Sequence, residues 1–168
     1  GGASAAAGRR AFLTQAYSDS WADFLKNRTN LAEKRARSAL QLLAQIAPAE
    51  KDAELLVEEA DLCYIAGAAS GQEDLLQQAL MVYGKHLKLV PSNINARRMM
   101  AETLLRLHRY EDAFTAFFDV SVASQQAEAA LQTAEVAPFR LIHDAEQLEH
   151  LITAGKIGDE FMQQAELL

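Results

Sequence analysis

Apolar side chains recur at helical spacing along most of the chain, and each run ends at a Gly, Pro or Asn. From residue 12 to residue 25, large residues three and four positions apart form one stripe: Phe12, Leu13, Tyr17, Trp21, Phe24 and Leu25. Such a stripe predicts an amphipathic helix. After the break "NRTN", Asn30 can cap a second helix. This helix should end before Pro48, with the buried face Leu31, Ala32, Ala36, Ala39, Leu40, Leu43 and Ile46.

The same pattern predicts four further helices, at about residues 52–66, 73–89, 93–107 and from 110 onward. Gly67 is placed to end the third helix, because glycine adopts the left-handed conformation of a helix C-cap. Pro91 ends the fourth helix, since proline cannot continue it. Ser92 or Asn93 can cap the fifth. The six helices therefore form three consecutive helical hairpins.

The hairpins also show a repeated small-plus-large signature. Ala79 and Ala113 lie 34 residues apart, and each is followed four residues later by an aromatic residue, Tyr83 and Phe117. A similar alanine, Ala36, lies 43 residues before Ala79, and the longer turn "GAASGQ" accounts for most of the extra length. A recurring signature of this kind indicates a helical repeat.

The stretch "AETLLRLHRYEDAFTAFF" resembles a tetratricopeptide repeat. That family places a small residue where two helices cross, matched here by Ala101 and Ala113, and often ends a unit with proline, matched by Pro48 and Pro91. Close approach at small residues needs large residues around it. The positions that match these large residues are Met100, Leu104, Tyr110 and Phe117. The resemblance covers about residues 12–124 and implies an all-α fold, a right-handed α-solenoid of about three hairpins.

This pattern divides the chain into three parts. We expect a flexible edge at residues 1–10, a helical repeat domain at 11–124, and C-terminal capping helices at 125–168. Pro138 interrupts a further repeat, and Asp144 with Gln147 forms a capping-box pattern. The chain starts without Met and on small residues, so we expect it to be a segment of a longer protein.

Composition and charge limit the classes of partner that the protein can have. Only three Pro and eight Gly interrupt the periodic segments, as expected for an all-α protein. The net charge of −7 opposes binding to nucleic acid, so we predict no such partner. No apolar run reaches the roughly 18 residues of a membrane span. Cys63 is the single cysteine, which precludes an internal disulfide, and we expect a soluble intracellular protein.

The residues most like a metal site are His143, Glu146 and His150, which share one helical face. Their neighbours are also charged, so a solvated helix face is the simpler interpretation, and we predict no metal site. The sequence contains no His-x-Asp pair, no glycine-rich phosphate loop and no Gly-x-Ser-x-Gly elbow. We therefore expect neither a catalytic site nor a cofactor.

The resemblance implies a concave groove lined by the first helix of each hairpin. In this register the lining residues are Glu54, Glu58, Asp61, Tyr64, Ile65, Asn95, Arg98, Met99, Glu102, Leu105 and Arg106. Family members that clamp an acidic peptide use Lys, Arg and Asn at such positions, whereas Glu58 and Asp61 stand here. Alternatively, Glu102 pairs with Arg98 and Arg106 along its own helix.

The expected function is protein–protein interaction: the groove holds a peptide or helix of a partner, and the protein acts as an adaptor or assembly factor. A second hypothesis is a non-catalytic, substrate-recruiting domain of a larger enzyme, such as a repeat-containing hydroxylase. A third is self-association through the apolar ends of the stack.

Overall fold

A computed structural model describes residues 2–131 and the single position 147. Within this part of the chain all regular structure is helical, which confirms the predicted all-α class there. A 3₁₀ turn spans Pro48–Glu50. The α-helices of residues 2–131 are α1 (Gly2–Leu25), α2 (Thr29–Leu43), α3 (Ala53–Ser70), α4 (Glu73–Leu89), α5 (Ile94–Arg106) and α6 (Tyr110–Leu131). The expected capping helices lie outside the described residues from residue 132 on, position 147 excepted.

The chain forms two compact units, Gly1–Val90 and Pro91–Leu168. In the first unit α1 packs on α2 and α3, α2 packs on α3, and α3 packs on α4. In the second unit α5 packs on α6. Helix α3 is thus the central helix of the first unit.

Helices α1 and α2 form an antiparallel hairpin. Arg35 contacts Asp19 at 2.9 Å, and Arg28, just before α2, contacts Asp23 at 3.8 Å. A later residue of α1 therefore contacts an earlier residue of the second segment, as expected for antiparallel helices. On α2 the predicted buried face is confirmed at its small positions, with the fully buried side chains Ala32, Ala36 and Ala39 and the buried Leu43. These alanines let the neighbouring helices approach closely.

The side chains of Asp52 and Asn93 cap the starts of α3 and α5, and only the cap of α5 had been predicted. The carboxylate of Asp52 accepts a hydrogen bond from the backbone N–H of Leu55 at 2.8 Å. Of the two candidates for α5, Asn93 is the cap, and its side chain accepts from the N–H of Ala96 at 3.1 Å. The predicted cap of α2 was wrong: α2 begins at Thr29, before Asn30.

Gly67 does not end α3, contrary to the sequence prediction. The helix continues to Ser70, and Gly71 terminates it with a φ of 73°, a left-handed conformation that favours glycine. Gly67 instead lies at the contact with α4. A Cβ atom placed on Gly67 would lie 2.9 Å from Cγ of Leu76 and 3.0 Å from its backbone nitrogen. The sequence position therefore needs glycine for close helix packing.

Helix α1 is longer than its apolar stripe. It begins at Gly2, although residues 1–10 were expected to form a flexible edge. The segment "GASAAAG" contains four alanines, and alanine has the highest helix propensity. The stripe that starts at Phe12 therefore underestimated the length of the helix.

The second unit has a small aromatic core between α5 and α6. Phe114 and Phe117 are fully buried against Ala101, and Leu105 and Tyr110 pack around them. Burial of each phenylalanine side chain contributes roughly 1.5–3 kcal/mol to folding. The predicted crossing residues Ala101 and Ala113 both have no exposed surface.

The contact at Gly67 predicts that Gly67→Ala destabilises the first unit. The new methyl group meets backbone as well as side chain, and overpacking of this kind costs about 1–3 kcal/mol. Gly84→Ala is the matched control, because Gly84 lies inside α4 and a Cβ there would meet no atom within 4 Å apart from the adjacent residues and the backbone of its own helix. We expect the control to stabilise the protein by up to about 1 kcal/mol. Urea denaturation measures the unfolding free energy of both variants. Equal stabilisation by the two would contradict the assignment of Gly67 to a close contact between helices.

Candidate functional site

The α3 positions predicted to line a groove are mostly buried. Asp61 is 6% exposed, Tyr64 4% and Ile65 0%. The reason is that α1 lies over this face of α3. Glu54 remains exposed, whereas Glu58 is only 9% exposed. The α3 part of the predicted groove is therefore an interface within the protein, not an open surface.

Helices α1 and α3 run parallel along this interface. Arg10 forms an ion pair with Glu54, with 2.8 Å between Nη2 and Oε1. Tyr17 contacts Asp61, which lies 44 residues further along the chain, the same offset as between Arg10 and Glu54. Arg10 also approaches Glu58 at 3.9 Å. The two carboxylates of α3 thus share one guanidinium from α1.

An aromatic cluster continues the interface toward the C-terminal end of α1. Trp21, Phe24 and Tyr64 contact one another, with ring centroids 5.9–6.2 Å apart. Aromatic pairs at such distances contribute about 0.5–1.5 kcal/mol each beyond the burial of their area. Tyr64, which we expected to contact a ligand, is instead part of this internal cluster.

Asp61 is held by hydroxyl groups from two other helices. Tyr17 of α1 donates a hydrogen bond to Oδ2 of Asp61 at 2.6 Å, and Tyr83 of α4 donates to Oδ1. Burial raises the pKa of the Asp61 carboxyl, while hydrogen bonds from Tyr17, Tyr83 and Trp21 and the nearby His86 act to lower it. One carboxyl group on α3 thereby links α1 and α4.

The neighbouring ionisable groups have shifted pKa values for the same reason. Burial raises the pKa of Glu58, opposed by Arg10, and burial also raises the pKa of the Tyr17 and Tyr83 hydroxyls. The tyrosines therefore stay protonated as donors. Burial raises the pKa of the Cys63 thiol to about 12, so this thiol is not activated as a nucleophile. The arrangement holds helices together and offers no activated nucleophile.

The α5 positions predicted to line the groove lie in the second unit. Asn95 and Arg106 are exposed, whereas Arg98, Met99, Glu102 and Leu105 are partly buried. Arg98 donates a hydrogen bond to the side chain of Asn95 at 3.1 Å. Leu105 packs against the Phe114 and Phe117 core, so it is largely a core residue.

No cluster of three or more metal-ligating side chains occurs among residues 2–131 and 147. The candidate ligands His143, Glu146 and His150 lie outside the described residues. In the same described part of the chain, no helix has the length and apolar character needed to cross a membrane.

An open groove that the sequence analysis missed runs between α1 and α2. Phe12 and Leu31 line it, with 52% and 37% of their surface exposed. The burial predicted for Leu31 was therefore wrong. Phe12, Ala16 and Asp19 lie on the face of α1 opposite Arg10, Tyr17 and Trp21, because successive residues turn by 100°. We call this the α1–α2 groove; its full lining is Gly8, Arg9, Phe12, Gln15, Ala16, Asp19, Leu31, Lys34, Arg35, Ser38, Gln41, Leu42 and Gln45.

The groove consists of two adjoining cavities that share Phe12 and Ser38. Their volumes are about 350 Å³ and about 440 Å³. The lining includes three cationic side chains, Arg9, Lys34 and Arg35, and one carboxylate, Asp19. In the sequence, the spacing of Phe12, Ala16 and Asp19 already indicated that they share one helix face. The sequence analysis instead assigned Phe12 to the apolar stripe that contains Tyr17 and Trp21.

Comparison of the chain with known protein families, with curated proteins and with solved structures found no match.

The raised pKa of Asp61 predicts a pH-dependent effect of Asp61→Asn. Because folding raises the pKa above the ordinary 3.8, the folded state holds the proton more tightly, and stability falls as pH rises through the folded-state pKa. Asparagine does not ionise, so the stability of the variant relative to the wild type should increase as pH rises above 3.8 and through the folded-state pKa of Asp61. Urea denaturation at several pH values measures this, with exposed Asp74→Asn as the control. A stability difference that does not change with pH would contradict the prediction.

The two tyrosine donors to Asp61 should differ in importance. Tyr83 has no exposed surface, so in Tyr83→Phe water cannot easily replace the lost hydroxyl donor at Oδ1 of Asp61. We expect a loss of about 1.5–3 kcal/mol of unfolding free energy. Tyr17 is partly exposed, and water can replace its hydroxyl, so Tyr17→Phe should cost less. Urea denaturation compares the two variants at one pH, and a larger loss for Tyr17→Phe would reverse this assignment.

Proposed function

We propose that the protein is an interaction module of tetratricopeptide type, which binds a helical segment of a partner protein in the α1–α2 groove. In this role it acts as an adaptor or assembly factor. The observation that carries the proposal is the exposure of Phe12 and Leu31 side by side in a groove between two helices.

The apolar character of the groove supports a protein partner. Large apolar side chains that line a concave surface are typical anchors for an amphipathic helix, whose own apolar face fills such a groove. Phe12 offers a half-exposed ring, and Leu42 and Ala16 add apolar surface along the same groove. The parallel orientation of α1 and α3 also agrees with stacked hairpins, in which every second helix points the same way.

The proposal differs from the groove that the sequence suggested. There, Asp61, Tyr64 and Ile65 were assigned to binding, but these side chains are already occupied within the first unit. Because α1 covers this face of α3, we assign binding to the α1–α2 groove, where the apolar side chains Phe12 and Leu31 are exposed.

We expect the double variant Phe12→Asp, Leu31→Asp to lose its partner proteins in an affinity pull-down followed by mass spectrometry. Both side chains are exposed, so the fold should be retained, as checked by circular dichroism. The carboxylates would bring charge into the apolar interface and prevent docking of a partner helix.

Met81→Asp, Leu89→Asp is the matched control, because these α4 side chains are also exposed and apolar, 57% and 60%, but do not line the groove. This control should recover the same partners as the wild type. Recovery of identical partners by all three proteins would refute the assignment of the groove.

A further inference from the structure

We infer that the α1–α2 groove selects an amphipathic helix whose apolar face is flanked by acidic side chains; this inference rests on the proposed function. It follows from the charges at the rim. Arg35 is neutralised by Asp19 at 2.9 Å and by Asp23 at 3.1 Å. Within the described residues, Arg9 and Lys34 form no ion pair, so two uncompensated cations remain beside an apolar floor.

The adjacent arginines Arg9 and Arg10 have separate roles. Arg10 turns toward α3 and pairs with Glu54 and Glu58. Arg9 lines the groove beside Phe12. The pair is therefore not one basic patch, and only Arg9 is available to an acidic ligand in the groove.

The groove is locally cationic on an acidic chain. The net charge of −7 acts against an acidic ligand at long range. At physiological ionic strength, however, interactions between exposed charges are screened beyond roughly 8 Å. Once a helix docks, its flanking carboxylates meet Arg9 and Lys34 directly, and these two contacts determine which sequences fit.

The length of the groove sets the length of the ligand. Its lining on α1 extends from Gly8 to Asp19, about 17 Å at the helical rise of 1.5 Å per residue. A helix of three turns matches this length. A helical peptide fits better than a phosphate backbone, because an apolar helix face can cover the apolar surface of Phe12, Leu31 and Leu42, which a phosphate backbone would leave exposed.

The test is a display selection with a library of helical peptides. Each peptide carries a fixed Leu face and flanking positions that vary equally among Glu, Lys and Gln. The wild-type protein selects binders, and Phe12→Asp removes those that bind elsewhere. We expect Glu to be enriched at the flanking positions. Enrichment of Lys or Gln would overturn the acidic specificity while leaving the proposed groove intact, whereas a lack of any Phe12-dependent binder would overturn both.

A charge exchange tests the contacts directly. Fluorescence anisotropy of one selected peptide should show that Arg9→Glu and Lys34→Glu each weaken binding about threefold, and together about tenfold. Replacement of the peptide's flanking Glu by Lys should restore binding to the double variant. Lys26→Glu is the control, because Lys26 is exposed and does not line the groove. Failure of the exchange to restore binding would contradict the inference.

A separate experiment tests whether the same cationic, apolar groove binds an anionic lipid surface. Vesicles with and without phosphatidylglycerol are sedimented with the wild type and with Phe12→Asp. We expect no Phe12-dependent sedimentation, because the apolar residues line a groove rather than project from the surface. Sedimentation that needs both the anionic lipid and Phe12 would overturn the peptide assignment in favour of a membrane ligand.

Discussion

Close approach of helices at small side chains is the constraint on which the first unit depends. Ala32, Ala36 and Ala39 on α2 have no exposed surface, and Gly67 on α3 leaves no room for a Cβ beside Leu76. Because the backbones are this close, α3 is surrounded by α1, α2 and α4, and residues 60–67 are all buried. A helix enclosed in this way cannot also provide an open binding face.

The enclosure of α3 explains why a carboxylate lies in the interior. An isolated buried carboxylate is costly unless it is hydrogen-bonded. Asp61 meets this requirement with donors from helices on both sides, Tyr17 and Tyr83. The same polar group that looked like a ligand contact in the sequence is thus a link between three helices. The hydrogen bonds to Asp61 join the three helices, and the proposed recognition surface therefore lies on the opposite face of α1.

The sequence was sufficient for what depends on local periodicity. It placed α4 at its observed bounds and identified Asn93 as a candidate cap, because these features are set within a few residues. It failed where the outcome depends on which helix packs against which. Gly67 suits both a helix end and a close contact, and only the position of Leu76 decides between them. The burial of Tyr64 had a signal, since Asp61 is the single charged residue among residues 60–67, and a helix segment with so little polar surface is typically buried.

The exposure of Phe12 also follows from the way α1 packs on its neighbouring helices. Helix α1 uses one face, through Tyr17 and Trp21, to cover α3, and a second face to pack on α2. A third apolar position is then unnecessary for the fold, and a large exposed ring weakens solubility unless something covers it. Phe12 and Leu31 are exposed at neighbouring positions of the groove. Arg9 and Lys34 lie beside them and form no ion pair within the described part of the chain. This combination supports the proposed recognition of a helix over a fortuitous exposure of apolar surface.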